Sequence, residues 1–78
     1  MTVLLRSETE SAVRDFLRGE TSPKEFEVWI ISCIDDLPAA EQAPLWHLRL
    51  LLIEYGEDLR PLEEAKEFAE QLLAENAA

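Results

Sequence analysis

Few residues in this 78-residue chain are of types that do covalent or metal chemistry: one cysteine, Cys33, one histidine, His47, and 17 Asp and Glu. A zinc site needs three or four thiolate, imidazole or carboxylate ligands at fixed spacing, which a lone Cys and a lone His do not supply. A thiolate nucleophile needs an imidazole beside it, and nothing in the spacing of Cys33 and His47 requires that. In the pairs Asp35-Asp36, Glu57-Asp58 and Glu63-Glu64, adjacent helical positions point about 100° apart. Such carboxylates do not face one another across a substrate as a catalytic pair does. Gly19 and Gly56 build no phosphate-cradling loop, and Asp35 to Pro38 lacks the alternating oxygens of a calcium loop. The sequence thus predicts no enzymatic activity, no metal and no cofactor.

What the carboxylates imply is a charge. Seventeen acids against seven Lys and Arg give a formal net charge of −10. The summed field of such a chain repels phosphate backbones and anionic lipid, which excludes direct nucleic-acid and membrane-surface binding and favours a basic protein partner. Residues 1–37 hold eight acids and four bases and residues 38–78 nine and three, so the acidity is no tail. With 47% hydrophobic residues the chain has what it needs to fold. Cys33 has no partner for an internal disulfide, and the opening Met-Thr-Val-Leu-Leu-Arg is too short an apolar run for a signal peptide. The longest apolar run, Leu50 to Ile53, is far below the ~20 residues that span a bilayer. A cytoplasmic protein is expected.

Helical start and stop signals set the frame. Ser7 with Glu10 reads as a capping box opening a helix over 8–18, with Val13, Phe16 and Leu17 on one side and Gly19 as its stop. Ser22-Pro23-Lys24-Glu25 is the strongest local signal, a capping box with proline at the first helical position, and predicts a helix over 23–35. Its stripe is Phe26, Trp29, Ile30, Cys33 and Ile34, and the residue before Pro38 is pushed out of the α region. Pro38 can start a short turn through Gln42, after which Pro44 either begins or kinks a helix over 44–55. That third helix is apolar nearly all round, with Leu45, Leu48, Leu52 and Tyr55 as one stripe widened by Trp46, Leu50, Leu51 and Ile53, so a central place is expected for it. A fourth helix over 61–75 begins at Pro61 and buries Leu62, Ala65, Phe68, Ala69, Leu72 and Leu73 opposite Glu63, Glu67 and Glu70. No stretch alternates as a strand does, so the fold class is all-α, a four-helix bundle with short antiparallel connections. Trp29 and Trp46 are expected in the core, Cys33 as a small buried hydrophobe, and His47 at the rim.

Length, acidity and four helices also describe acyl carrier proteins, but none of Ser7, Ser11, Ser22 or Ser32 is followed by the Leu of the Asp-Ser-Leu attachment motif. The segment from Phe16-Leu17-Arg18-Gly19 through Ser22-Pro23-Lys24-Glu25-Phe26 to Trp29-Ile30 resembles the opening of the colicin D immunity-like family of small helical proteins. There a helix ending in Phe-Leu meets a short link, a Ser or Thr cap and a Glu-Phe on the next helix. The resemblance covers residues 16–30 and implies an inhibitor that neutralises a toxin, covering a tRNA-cutting active site with acidic side chains that imitate phosphates.

The expectation is therefore a binding protein without catalysis, an acidic bundle whose carboxylates meet a basic partner as an immunity-type or nucleic-acid-mimicking inhibitor. Acid density singles out Glu57, Asp58, Glu63, Glu64, Glu67 and Glu70 as the partner-binding residues. The alternative is a homodimeric structural or adaptor module packed through the apolar third helix, with the charge serving solubility.

Overall fold

The computed structural model describes residues 5–77, with side chains to residue 75. Helix α1 spans Ser7–Arg18, α2 Pro23–Cys33, α3 Ala39–Gly56 and α4 Leu62–Ala77, with a 3₁₀ turn at Ile34–Asp36 between α2 and α3. No strand occurs among the described residues.

The cap of α2 forms as its residues dictate. Glu25 N–H donates to Ser22 Oγ at 3.1 Å, and Ser22 N–H donates back to Glu25 Oε1 at 3.3 Å. Gly19, at φ +81°, turns the chain out of α1 through the left-handed conformation that only glycine adopts without penalty. Phe16 at the end of α1 then stacks on Phe26 at the start of α2 with ring centroids 4.8 Å apart, and Phe26 stacks on Trp29 at 5.9 Å. Each feature that carries the resemblance over 16–30 thus also has an architectural task.

The expected cap at Ser7 does not form. Ser7 is the first helical residue, and the capping position falls to Arg6, extended at φ −68° and ψ 156° with no side-chain bond. Arg6 C=O accepts the first helical bond from Glu10 N–H at 2.9 Å, while its N–H donates to Glu41 Oε1 of α3 at 2.9 Å. A capping box satisfies that N–H with the carboxylate three residues on. Here a carboxylate 35 residues away does so, and a tertiary contact moves the helix start.

Two further boundaries shift for local reasons. Leu37 is extended ahead of Pro38, so α2 tightens into the 3₁₀ turn and stops. The turn expected from Pro38 and the helix expected from Pro44 are one element, and Pro44 lies inside α3. Its missing N–H leaves Ala40 C=O without a helical partner, and Ala40 is exposed, where water can take that bond. Helix α4 begins at Leu62, one residue after Pro61, whose C=O accepts from Glu64 N–H at 3.3 Å.

The helices pack in a ring, α1 on α2, α2 on α3, α3 on α4 and α4 on α1. Their shared core is Val13, Phe16, Phe26, Ile30, Ile34, Leu37, Leu45, Leu48, Leu51, Leu52, Ala65 and Ala69. Helix α3 packs on α2, the 3₁₀ turn and α4 and is tied to the start of α1 only at Arg6, and its remaining side faces solvent. Trp46 is accordingly 46% exposed and Leu50 53%, against the expectation that Trp46 is core. Tyr55 of the expected stripe is exposed too, and Trp29 and Cys33 are half-buried at the core's edge.

Candidate functional site

The six carboxylates singled out by acid density belong to the turn between α3 and α4 and to α4 itself. That turn is tied to the end of α3 by its backbone: Asp58 N–H donates to Tyr55 C=O at 3.0 Å and Leu59 N–H to Glu54 C=O at 2.8 Å. Asp58 occupies the left-handed region at φ +61°, which Asp tolerates better than most residues. Glu57 and Asp58 are exposed, and between them and α4 stands Leu59, 66% exposed.

Arg60 draws two carboxylates to itself. Its Nε donates to Glu54 Oε2 at 3.0 Å and its NH1 to Glu64 Oε2 at 2.8 Å. These bonds, Glu64 first and Glu54 second, push the guanidinium above its ordinary pKa. Glu64 is therefore already compensated. It lies with Glu67, Glu54 and Arg60 around an open groove of about 360 Å³ between α3 and α4, walled also by His47 and Phe68. The His47 ring meets Phe68 at 4.5 Å between centroids, tilted by 53°.

Glu63, Glu67 and Glu70 share the outer flank of α4 at the i, i+4, i+7 spacing that puts side chains on one face, and all three are exposed. Among the described residues none of Glu57, Asp58, Glu63, Glu67 and Glu70 makes an ion pair. The structure thus brings Glu64 and Glu67 together in the groove, sets Glu63 and Glu70 beside Glu67 on the outside, and leaves Glu57 and Asp58 on the turn.

Nothing brings Cys33 and His47 into one site. His47 stands on the α4 side of α3, whereas Cys33 lies on α2, which does not touch α4. The Cys33 thiol points at Ile30 C=O, 3.8 Å away. Burial pushes its pKa up and Asp36 adds to the rise, while Arg6 pulls the other way without prevailing. Among the described residues no group of three or more His, Cys, Asp or Glu side chains gathers as a metal site would require. No helix among them is long and apolar enough to cross a membrane.

Sequence reasoning passed over one carboxylate altogether. Glu41 is 1% exposed, bonded through Oε1 to Arg6 N–H, with Oε2 3.5 Å from Arg6 Nε. The signal that could have found it is local: Glu41 is the third residue of a helix whose capping position is Pro38. Proline has no N–H for that carboxylate to accept, so the side chain is free to serve another segment. The acid is structural, closing the start of α1 onto α3.

A second open groove, of about 480 Å³, runs between α1 and α2 over Phe26 and Trp29 with Glu8 and Asp15 on its rim. Both grooves are open clefts between helices. The sequence matches no protein-family model, no curated protein and no solved structure.

Proposed function

We propose that this chain is a non-catalytic protein-binding module whose acidic end, the α3–α4 turn and the outer flank of α4, receives a basic partner protein. The observation that carries this reading is the set of five exposed carboxylates, Glu57, Asp58, Glu63, Glu67 and Glu70, without ion pairs among the described residues, while the nearby Arg60 is taken by Glu54 and Glu64. Residues 54–70 hold seven acids and two bases. Uncompensated carboxylates at such density repel one another, and Lys or Arg from a partner relieves that repulsion and speeds encounter. Leu59, exposed among them, offers the apolar contact that carbon-rich side chains of a partner can cover. An immunity-type or nucleic-acid-mimicking inhibitor is the specific form of this reading: helix-borne carboxylates rising about 6 Å and about 4.5 Å from Glu63 to Glu67 to Glu70 would occupy cationic residues that otherwise hold phosphates. The single thiol fits a reducing compartment such as the cytoplasm.

The test compares two variants of equal charge. Glu63→Lys/Glu67→Lys changes the proposed face, and Glu8→Lys/Glu20→Lys changes exposed acids elsewhere. Wild type and the Glu8/Glu20 variant are expected to capture the same basic protein from the native host, with binding that weakens from about 50 mM to about 300 mM salt. The Glu63/Glu67 variant is expected to lose it. Equal capture by both variants, or binding indifferent to salt, would refute the assignment.

A further inference from the structure

The groove of about 480 Å³ between α1 and α2 has Ser7, Glu8, Ser11 and Asp15 of α1 on one wall and Phe26 and Trp29 of α2 on the other. No Lys, Arg or His lines it. Neither Glu8 nor Asp15 makes an ion pair among the described residues. The cations of the same helix are occupied or placed elsewhere: Arg14 is held by Glu10 at 2.7 Å, and Arg18 lies outside the lining. Glu8 and Asp15 stand seven positions apart, which stacks them within about 20° of one another and about 10.5 Å apart along the helix. Glu8, in the first turn of α1, suits the positive end of the helix dipole. Asp15 does not, because it opens the last turn, where the carbonyl ends favour a cation. The fold thus offers no partner to a half-buried carboxylate that faces an aromatic wall.

We infer that this groove binds a basic amphipathic helix of another protein, with an arginine at each of the two acids and apolar side chains between them against the aromatic wall. Charge chooses the occupant: two uncompensated carboxylates call for two cations, and the net charge of −10 draws a basic segment toward the chain. Arginine suits both walls, since its guanidinium pairs with a carboxylate while its flat face stacks on an indole ring. Trp29, half-buried at the core's edge, supplies that ring. A helix suits the shape. Its positions i and i+7 are also about 10.5 Å apart, so laid along α1 it sets an arginine at each acid and turns positions i+3 and i+4 toward α2. An extended segment would bring backbone N–H and C=O groups that two helices, already bonded within themselves, have no edge to receive. Ser7 and Ser11, exposed on the same wall, can accept from the guanidinium N–H groups that the carboxylates leave over. No acid of the α3–α4 turn or of α4 lines this groove, so the site is separate from the acidic end and takes a separate ligand.

The probe is a capped, alanine-rich peptide of about 14 residues with two arginines seven positions apart and two leucines between them. Its control carries citrulline, which keeps the shape of arginine without the charge. Of the two tryptophans, Trp46→Phe leaves only Trp29 to report binding through its emission. The arginine peptide is expected to move that emission to shorter wavelength, saturably and below about 1 mM. The citrulline peptide on the same chain, and the arginine peptide on Glu8→Gln/Asp15→Asn, are each expected to bind about tenfold more weakly, as the loss of two partly exposed ion pairs dictates. Glu63→Gln/Glu67→Gln, an equal change of charge at the acidic end, is expected to alter binding less than about twofold. Far-ultraviolet circular dichroism should report unchanged helix in both variants, because Glu8, Glu63 and Glu67 are exposed and Asn keeps the shape of Asp15. An emission that stays in place up to about 1 mM peptide overturns the inference. So does a citrulline peptide that binds as tightly as the arginine peptide. A Glu63/Glu67 variant that weakens binding as much as the groove variant overturns it too, and moves the peptide to the acidic end.

Discussion

Glu41 does two jobs with one carboxylate, ending the backbone of α1 and fixing α1 against α3, and its removal separates the consequences. Glu41→Ala leaves Arg6 N–H without an acceptor in a partly buried place, and an expected loss of about 1–3 kcal/mol follows from the unmet bond. Glu41→Gln keeps an acceptor oxygen and should lose less than half of that. Urea midpoints with unchanged slope check both, and equal losses would mean that the charge on Glu41, not the bond to Arg6 N–H, matters. The Arg6 side chain is about half exposed, so the ion pair itself contributes little. At Cys33 the fold favours the neutral thiol, because burial raises its pKa. A group whose folded pKa is raised contributes stability that is whole below its ordinary pKa and is lost as pH rises through the folded value. The melting temperature of wild type should therefore fall more steeply than that of Cys33→Ala between about pH 8 and about pH 10, and parallel curves would remove the thiol from the account. Of these two residues the cysteine was legible, since its place on the stripe Phe26, Ile30, Ile34 follows from spacing alone. Glu41 was not, because its partner is 35 positions away.

Helix ends show where local chemistry decides and where it is overruled. Ser22, Pro23 and Glu25 are neighbours in sequence and complete their own hydrogen bonds, so α2 starts where its residues say. Ser7 and Glu10 have the same residue types but lose the competition, because Glu41 already holds the N–H of Arg6 and the helix starts one residue sooner. In α3 the sequence left Pro44 as either a start or a kink, and the structure carries the helix through it from Ala39. The ring then deletes one hydrogen bond inside the helix, and Pro44→Ala is expected to stabilise the protein by about 1–3 kcal/mol. Thermal melts check this, and an unchanged or lower midpoint would mean that packing of the half-buried ring outweighs the missing bond. The apolarity of α3 was read as a demand for burial on every side. A ring of four helices offers each member two neighbours, so the excess stays at the surface as Trp46 and Leu50.

Across the whole molecule the all-α class and the order of helices were legible because periodicity and caps are local. The sorting of charge was not, since it depends on which helices become neighbours. A net charge of −10 read along the chain looks evenly spread. Folded, it divides into carboxylates that are paired, as Glu54 and Glu64 are by Arg60 and Glu41 is by Arg6, and an acidic end around the α3–α4 turn and α4 whose remaining carboxylates make no ion pair among the described residues. The six acids chosen from density divide as well: Glu64 is compensated by Arg60, and the other five make no ion pair among the described residues. The stacking of Phe16, Phe26 and Trp29 has a further consequence, in light emission. Trp29 sits 5.9 Å from Phe26 at the edge of the core, and Trp46 stands 46% exposed beside Arg49. The two indoles should therefore fluoresce as separate populations, one emitting at shorter wavelength and shielded from acrylamide, the other at longer wavelength and readily quenched. Substituting either by phenylalanine isolates its companion, so the docking of α1 on α2 and the surroundings of the exposed side of α3 can each be followed without an added label.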